Sequence, residues 1–272
     1  MTSADARGWR DRVSRIVRDR SGGRLSPATR VLHTLSLHAN GHGTAELKVT
    51  RSGERRVLAL LRGEPNLTIF DVGAFRGDYG AMARQVLGPQ AVIHCFEPGE
   101  MALRQLRRRA PQADLHVHGV GLSNVEGHAT LHHESATPTM ASLHPDTLAA
   151  VGGLATERAT IDVTTLDEFC ERHAISTVDL LKIDTEGTEI DVLRGATRML
   201  GDGAFRIIQF EFGYGNIATR TFIRDFYELL GASYVMHRVA PRGLIALGGY
   251  DLALEVFVGA TNYVAIAEPR PS

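Results

Sequence analysis

The sequence predicts an α/β fold: a doubly wound, mostly parallel sheet of seven strands behind an N-terminal helical extension. Three observations predict it. From Asn66 onward short apolar runs alternate with helical stretches, which is the pattern of strands buried on both faces and joined by crossover helices. Four of those runs end in or near a single carboxylate, at Asp71, Glu97, Asp184 and Glu211, and open α/β sheets bind ligands beyond the carboxyl ends of their strands. With 272 residues, 43% of them hydrophobic, one large domain can bury roughly three quarters of its unfolded surface without a metal or disulfide staple.

The extension is assigned to residues 1–64 and the sheet domain to 65–272. Residues 1–30 carry eight Arg against Asp5, Asp11 and Asp19. Trp9, Val13, Ile16 and Val17 fall at helical spacing there, which reads as a solvated basic helix packed on the main domain in preference to a membrane-surface or acidic-partner patch. A second helix is expected over 27–38, with Pro27 in its first turn. Residues 45–64 fit both a hairpin turning at Ser52-Gly53 and a helix ending before Pro65. The strands are expected at 67–71, 91–96, 114–120, 178–184, 206–212, 233–239 and 254–266, with helices at 78–87, 99–109, 188–200 and 219–230. Segment 125–165 interrupts the alternation, and its length suits an inserted lid or a substrate-contacting stretch.

Composition excludes several classes. A formal charge of -1 provides no general field for nucleic acid. No run reaches the 18 apolar residues of a membrane span, and the N-terminus lacks the apolar core of a secretory signal. Cys95 and Cys170, the two cysteines of the chain, suit a reduced compartment. The expectation is a cytoplasmic protein. Twelve histidines include His116, His118, His128, His132, His133 and His144. Without a metal-ligand spacing they read as solvent-facing or core-satisfied side chains.

Residues 69–79 (IFDVGAFRGDY) carry a strand, then a carboxylate, then a Gly-x-x-x-Gly turn into a helix. Glycines let backbone approach a ligand, and the helix start offers free amides to an anionic group. Glu97 closes a second strand twenty residues after Gly77, where a carboxylate can accept both ribose hydroxyls. The Gly73/Gly77 spacing departs from the G-x-G-x-x-G of dinucleotide sites. Asp71, expected to point into the crevice, would repel a pyrophosphate and attract an ammonium. S-adenosylmethionine, with an ammonium, a sulfonium and a ribose but no phosphate, meets these conditions. In residues 178–189 (VDLLKIDTEGTE) Asp184 ends a central strand, while Glu189 is explained by helix-dipole energetics alone. Glu211 interrupts another buried run, so it is either paired or facing the cleft.

These segments resemble the FkbM family of S-adenosylmethionine-dependent methyltransferases. The similarity is carried by DVGAFRGDY (71–79), FEP (96–98), TLD (165–167), KIDTEGTEIDVLRG (182–195) and QFEFG (209–213). Phe75 stands where the family usually has Asn. The resemblance implies a Rossmann-like class I methyltransferase fold and O-methylation of a hydroxyl on a sugar or a polyketide or macrolide-type natural product, small or carrier-held. It also implies cofactor contacts from Asp71, Gly73, Ala74 and Gly77 at the methionine end, Glu97 at the ribose, Leu122 near adenine and Asp184 beside the methionine moiety and acceptor. Candidate bases are Asp184, Glu186 and Glu211. Two of these carboxylates can alternatively hold a divalent cation, which nothing in the sequence requires. A catalytically inactive nucleoside-binding partner protein and a nicotinamide-dependent oxidoreductase are the competing readings.

Overall fold

The computed structural model describes residues 27–45, 47–48, 51–133, 141–150, 157–231 and 233–268. The basic helix expected around Trp9 lies outside them. The chain divides after Ala39 into two compact units. The first contributes one described helix, α1 (Pro27–Ala39), which starts at the expected proline.

The second unit holds an eight-stranded sheet. In chain order its first elements are α2 (Glu54–Ala59), β1 (Thr68–Val72), α3 (Asp78–Leu87), β2 (Val92–Phe96), α4 (Glu100–Ala113), β3 (His116–His118) and β4 (Gly121–Leu122). There follow β5 (Gly127–His133), β6 (Ala141–Ser142), α5 (Pro145–Ala150), β7 (Glu157–Thr164), α6 (Leu166–Arg172), β8 (Val178–Ile183), α7 (Glu189–Arg194), α8 (Thr197–Gly201) and β9 (Phe205–Phe212). The chain finishes with α9 (Tyr214–Ala218), α10 (Ile223–Leu230), β10 (Tyr234–Ala240), β11 (Gly243–Ala246), a 3₁₀ turn (Leu252–Glu255) and β12 (Thr261–Ala267).

The strand order is β11-β10-β12-β9-β8-β1-β2-β3. Strands β3, β2, β1, β8 and β9 run parallel, and β12 enters antiparallel between β9 and β10. This is the doubly wound α/β fold the sequence predicts, with eight strands instead of seven. The extra one is β11, a short antiparallel edge partner of β10.

Several segments differ from expectation, among them the 219–230 helix, which starts only at Ile223, and the 114–120 strand, which spans His116–His118. The 254–266 strand begins only at Thr261, because Asp251 accepts the Ala253 amide at 2.8 Å and starts the 3₁₀ turn. The 188–200 helix is two helices, and the second is held by Asp167, whose two oxygens accept the Arg198 and Met199 amides at 2.8 and 3.0 Å. Thr165 caps α6 through the Glu168 amide at 3.1 Å, so the TLD motif is explained by helix capping. Within residues 45–64, α2 buries Val57 and Leu58 completely, as does Leu61 just after it. Those apolar side chains belong to the core of the sheet unit, which begins at Asn40, before the expected boundary at 64/65.

Segment 125–165 supplies β5, β6 and β7 of a small second sheet, β4-β7-β5-β6, to which β4 adds the residues just before it. β7 alternates exposed and buried positions toward its end, with Ile161 and Val163 packed against Leu131 of β5.

The large sheet separates two apolar layers. Phe70, Leu181, Ile208 and Phe210 face α6, α7 and α10. Ile69, Ile93, Leu180 and Ile207 face α2 and α3. At the β2/β3 edge, His94 and His118 stack nearly parallel, with Nδ1 and Nε2 3.0 Å apart, against Phe96 and Phe169. Burial and the neighbouring histidines, His116 and His173 among them, lower both to about 4 from 6.5. The fold therefore favours their neutral forms. Their stabilisation is complete above pH 6.5 and is lost as pH falls toward 4. The expected result is a melting temperature that drops across this window, with a shallower drop in the His94→Phe/His118→Phe double variant measured beside the parent.

Candidate active site

Strand register aligns Asp71 of β1 with Lys182 of β8, and Lys182 with Gln209 of β9. Three polar side chains thus lie in one row across a buried sheet. Lys182 Nζ sits 3.3 Å from Asp71 Oδ1 and 3.1 Å from Asp184 Oδ2. From α2, Glu54 completes the row, accepting from Ser52 Oγ at 2.6 Å and Gln209 Nε2 at 2.9 Å. Burial pulls the Lys182 ammonium down, but Asp184, Asp71 and Glu54 together outweigh it and hold it well above its ordinary range. Asp71 is fully buried, and desolvation raises its carboxyl despite the lysine. Asp71 therefore does not point into the crevice, since the neighbouring cation and the sheet close it off. Its charge is paired with Lys182, although it still helps raise the Glu97 carboxyl.

The crevice lies beyond the strand tips as a cavity of about 540 Å³. Of the sequence candidates it is lined by Gly73, Glu97, Leu122, Asp184 and Glu186. Ala74 and Gly77 are not on its wall. The Gly73 and Ala74 amides both donate to the Phe96 carbonyl at 3.0 Å, so these turn amides serve the fold. Gly73 is required for another reason. Its φ is +76°, and a Cβ there would stand 1.8 Å from the Asp184 carbonyl oxygen. The close approach brings the β1 and β8 tips together.

Phe75 has φ +47°, a left-handed conformation that Asn tolerates better than Phe. Its amide donates to Glu97 Oε2 at 2.9 Å, and the Gly99 amide donates to Oε1 at 2.7 Å. The Glu97 carboxylate is thereby fixed in orientation with lone pairs left on each oxygen. Burial raises its carboxyl, and the two amides oppose that rise.

The loop after β8 is held by Glu189. Its Oε1 accepts from the Thr185 amide, the Thr185 hydroxyl and the Gly187 amide at 2.9, 3.1 and 3.0 Å, and its Oε2 accepts from Asn216 Nδ2 at 3.0 Å. Gly187 packs on Gly215 so tightly that a Cβ on it would lie 2.7 Å from the Gly215 backbone. Between them Glu186 is held at φ +57°, and its carbonyl accepts Ser142 Oγ at 2.9 Å.

A second cavity of about 350 Å³ adjoins this loop and is lined by Glu186, Glu211, Tyr214 and Asn216. Glu186 borders both spaces. Burial together with Asp184 and Glu189 raises its carboxyl to about 8, and burial with Asp184 and Glu186 pushes Glu211 well above its ordinary value. Glu211 reaches only the second cavity. Among the described residues, no three His, Cys, Asp or Glu are grouped to hold a metal ion. Sequence reasoning missed Lys182, Gln209 and Glu54; the first two were signalled by one polar residue at matching depth in each of two apolar strands, whereas Glu54, on α2, had no such signal.

The model of the methyltransferase FkbM domain matches residues 71–234, from the Asp71 strand to the start of β10. The chain is similar to the hexuronic acid methyltransferase AglP of Haloferax volcanii, 27% identical over 168 residues, covering 59% of this chain and 64% of that one. It is also similar to the 2-O-methyltransferase NoeI of Sinorhizobium fredii, 25% identical over 172 residues, covering 58% and 66%. The chain spans less than two thirds of the length of the curated relatives it matches. The crystal structure of an FkbM methyltransferase from Methylobacillus flagellatus superposes with a TM-score of 0.47 at 18% identity, covering 74% of this chain and 43% of that one. The family match spans more than half of the sequence and takes in the clamped Glu97, the KIDTEG loop and the β9 acid; the chain belongs to the FkbM methyltransferase family.

Proposed function

We propose that this chain is an S-adenosylmethionine-dependent O-methyltransferase acting on a hydroxyl of a sugar or of a polyketide or macrolide-type natural product. The observation that carries the reading is the charge of the larger cavity. Glu97, Glu100, Glu157 and Asp184 line it beside Glu186, which adds its charge only as pH rises through about 8, and among the described residues no Lys or Arg does. Such a wall attracts a sulfonium and an ammonium and repels a dinucleotide pyrophosphate. The residues fit the cofactor. Glu97 keeps lone pairs for two ribose hydroxyls, and Leu122, Leu131 and Ile161 offer an apolar face to the base.

When bound, S-adenosylmethionine supplies an electrophilic methyl group. The chain's part is to hold the acceptor oxygen in line and take its proton. Glu186 is placed for that, at the junction of the two cavities with a carboxyl raised toward neutrality. The second cavity, beside the loop that starts at Gly213, is the space for the acceptor. The name of AglP, which mentions a hexuronic acid, supports a sugar acceptor, and that of NoeI, which mentions a 2-O position, supports transfer to oxygen.

Isothermal titration with S-adenosylmethionine, S-adenosylhomocysteine and NADH tests the donor, and labelled methyl transfer to glycosides and macrolides tests the acceptor. Binding of the first two without NADH is expected, while binding of NADH alone overturns the proposal. Glu97→Ala is expected to weaken S-adenosylhomocysteine about thirtyfold, the loss of one to two charge-assisted hydrogen bonds. An unchanged titration would remove Glu97 from the ribose.

A further inference from the structure

Residues 40–45 lie well ahead of β1 in the chain, yet they are fastened to the antiparallel half of the sheet. The Gly43 amide donates to Thr261 Oγ1 and the Thr44 hydroxyl to the Val239 carbonyl, both at 2.9 Å. Arg238 donates to the Asn40 carbonyl at 2.7 Å, and the Ala45 amide donates to the Ala260 carbonyl at 3.0 Å. This last bond joins two half-buried residues that both line the second cavity. Because it runs between backbones, either side chain can change without breaking it.

Sheet order fixes which end of that cavity the two alanines occupy. Strands β8, β9 and β12 are successive neighbours. β12 is antiparallel to β9 and Thr261 pairs with Phe212, so Ala260 lies beside Gly213 at the β9 tip. Glu186 belongs to the loop after β8, one strand further back, where it also borders the larger cavity. The second cavity therefore runs from Glu186 across Glu211 and Gly213 to Ala45 and Ala260. Neighbouring strands are about 4.8 Å apart, so two strand spacings separate its ends by roughly 10 Å. That span is longer than one sugar ring, and whatever the ring carries beyond itself meets the alanines. Both alanines fall outside residues 71–234, which match the family model. This wall is thus supplied by the segments that flank the shared domain.

We infer that Ala45 and Ala260 form the far wall of the acceptor cavity and limit the size of the group an acceptor carries beyond its methylated sugar ring, an assignment that rests on the sugar-acceptor reading above. Ala45→Leu extends into the cavity by three carbons, and Ala45→Gly withdraws one. Labelled methyl transfer by the full chain is measured with methyl β-D-glucuronide and p-nitrophenyl β-D-glucuronide, which share the sugar ring and differ in the appended group. In Ala45→Leu, KM for the p-nitrophenyl compound is expected to rise about tenfold, because extra methylenes in a filled space are poorly accommodated. KM for the methyl compound is expected to stay within about twofold, with S-adenosylhomocysteine affinity and melting temperature unchanged. Ala45→Gly is expected to shift the preference the other way, and it carries the test if the leucine perturbs folding. Equal rises for both glucuronides, a preference that neither variant moves, or a loss of S-adenosylhomocysteine affinity overturns the assignment. A parent that binds S-adenosylhomocysteine but methylates neither glucuronide overturns both the assignment and the sugar acceptor, and leaves the donor reading standing. A parent that does not bind it overturns all three.

Discussion

Glu186→Gln is expected to lower turnover by about a hundredfold to a thousandfold, with S-adenosylhomocysteine affinity and melting temperature preserved. Glutamine fills the same space but cannot receive a proton, and a positioned general base contributes on the order of 10² to 10⁴. The selectivity of the effect follows from the surroundings. No described residue hydrogen-bonds the Glu186 carboxylate; the loop is held by its backbone, through Ser142, and by Glu189. Neutralising it also relieves repulsion from Asp184 and Glu189. The pH profile provides a second readout. A base raised to about 8 must be ionised to act, so the parent's turnover should climb with pH through that region and then level. Persistence of that limb in Glu186→Gln would assign the proton to another group.

Lys182→Met should cost about 3–5 kcal/mol of unfolding free energy, measured by urea titration. Lys182 and Asp71 are almost completely inaccessible to solvent, and deleting one partner of such a pair leaves the other charge stranded in low dielectric. Pairing it with Asp71→Asn removes the stranded charge, so the double variant should recover much of the loss. Strict additivity of the two single effects would show that the side chains are not coupled.

How much of this was legible in the sequence depends on whether neighbours in space are neighbours in the chain. Glu97 and Asp184 close their own apolar runs, and their place at the cavity follows from the strands that carry them. The Asp71–Lys182–Gln209 row is different. Its members are scattered over more than a hundred positions and meet only through parallel register. Asp71 at a strand tip therefore looked like a ligand contact, although it is a buried ion-pair partner. The same limit explains α2, whose Glu54 matters only once β9 lies beside it. In 125–165 the stretch ERATIDVT does alternate, but its partner strand is 24 residues or more away, so the segment read as an interruption and neither its strands nor the second sheet was expected.

The placement of β12 has a consequence for how the chain assembles. β9 and β10 are consecutive in sequence but do not pair in the sheet; its last strand slides between them. During synthesis the parallel half, complete by residue 212, must wait with β9 as a bare apolar edge until some fifty more residues emerge. Such an exposed border is a template for mispairing, so the interval before the final strand docks is when this polypeptide is most open to wrong partners.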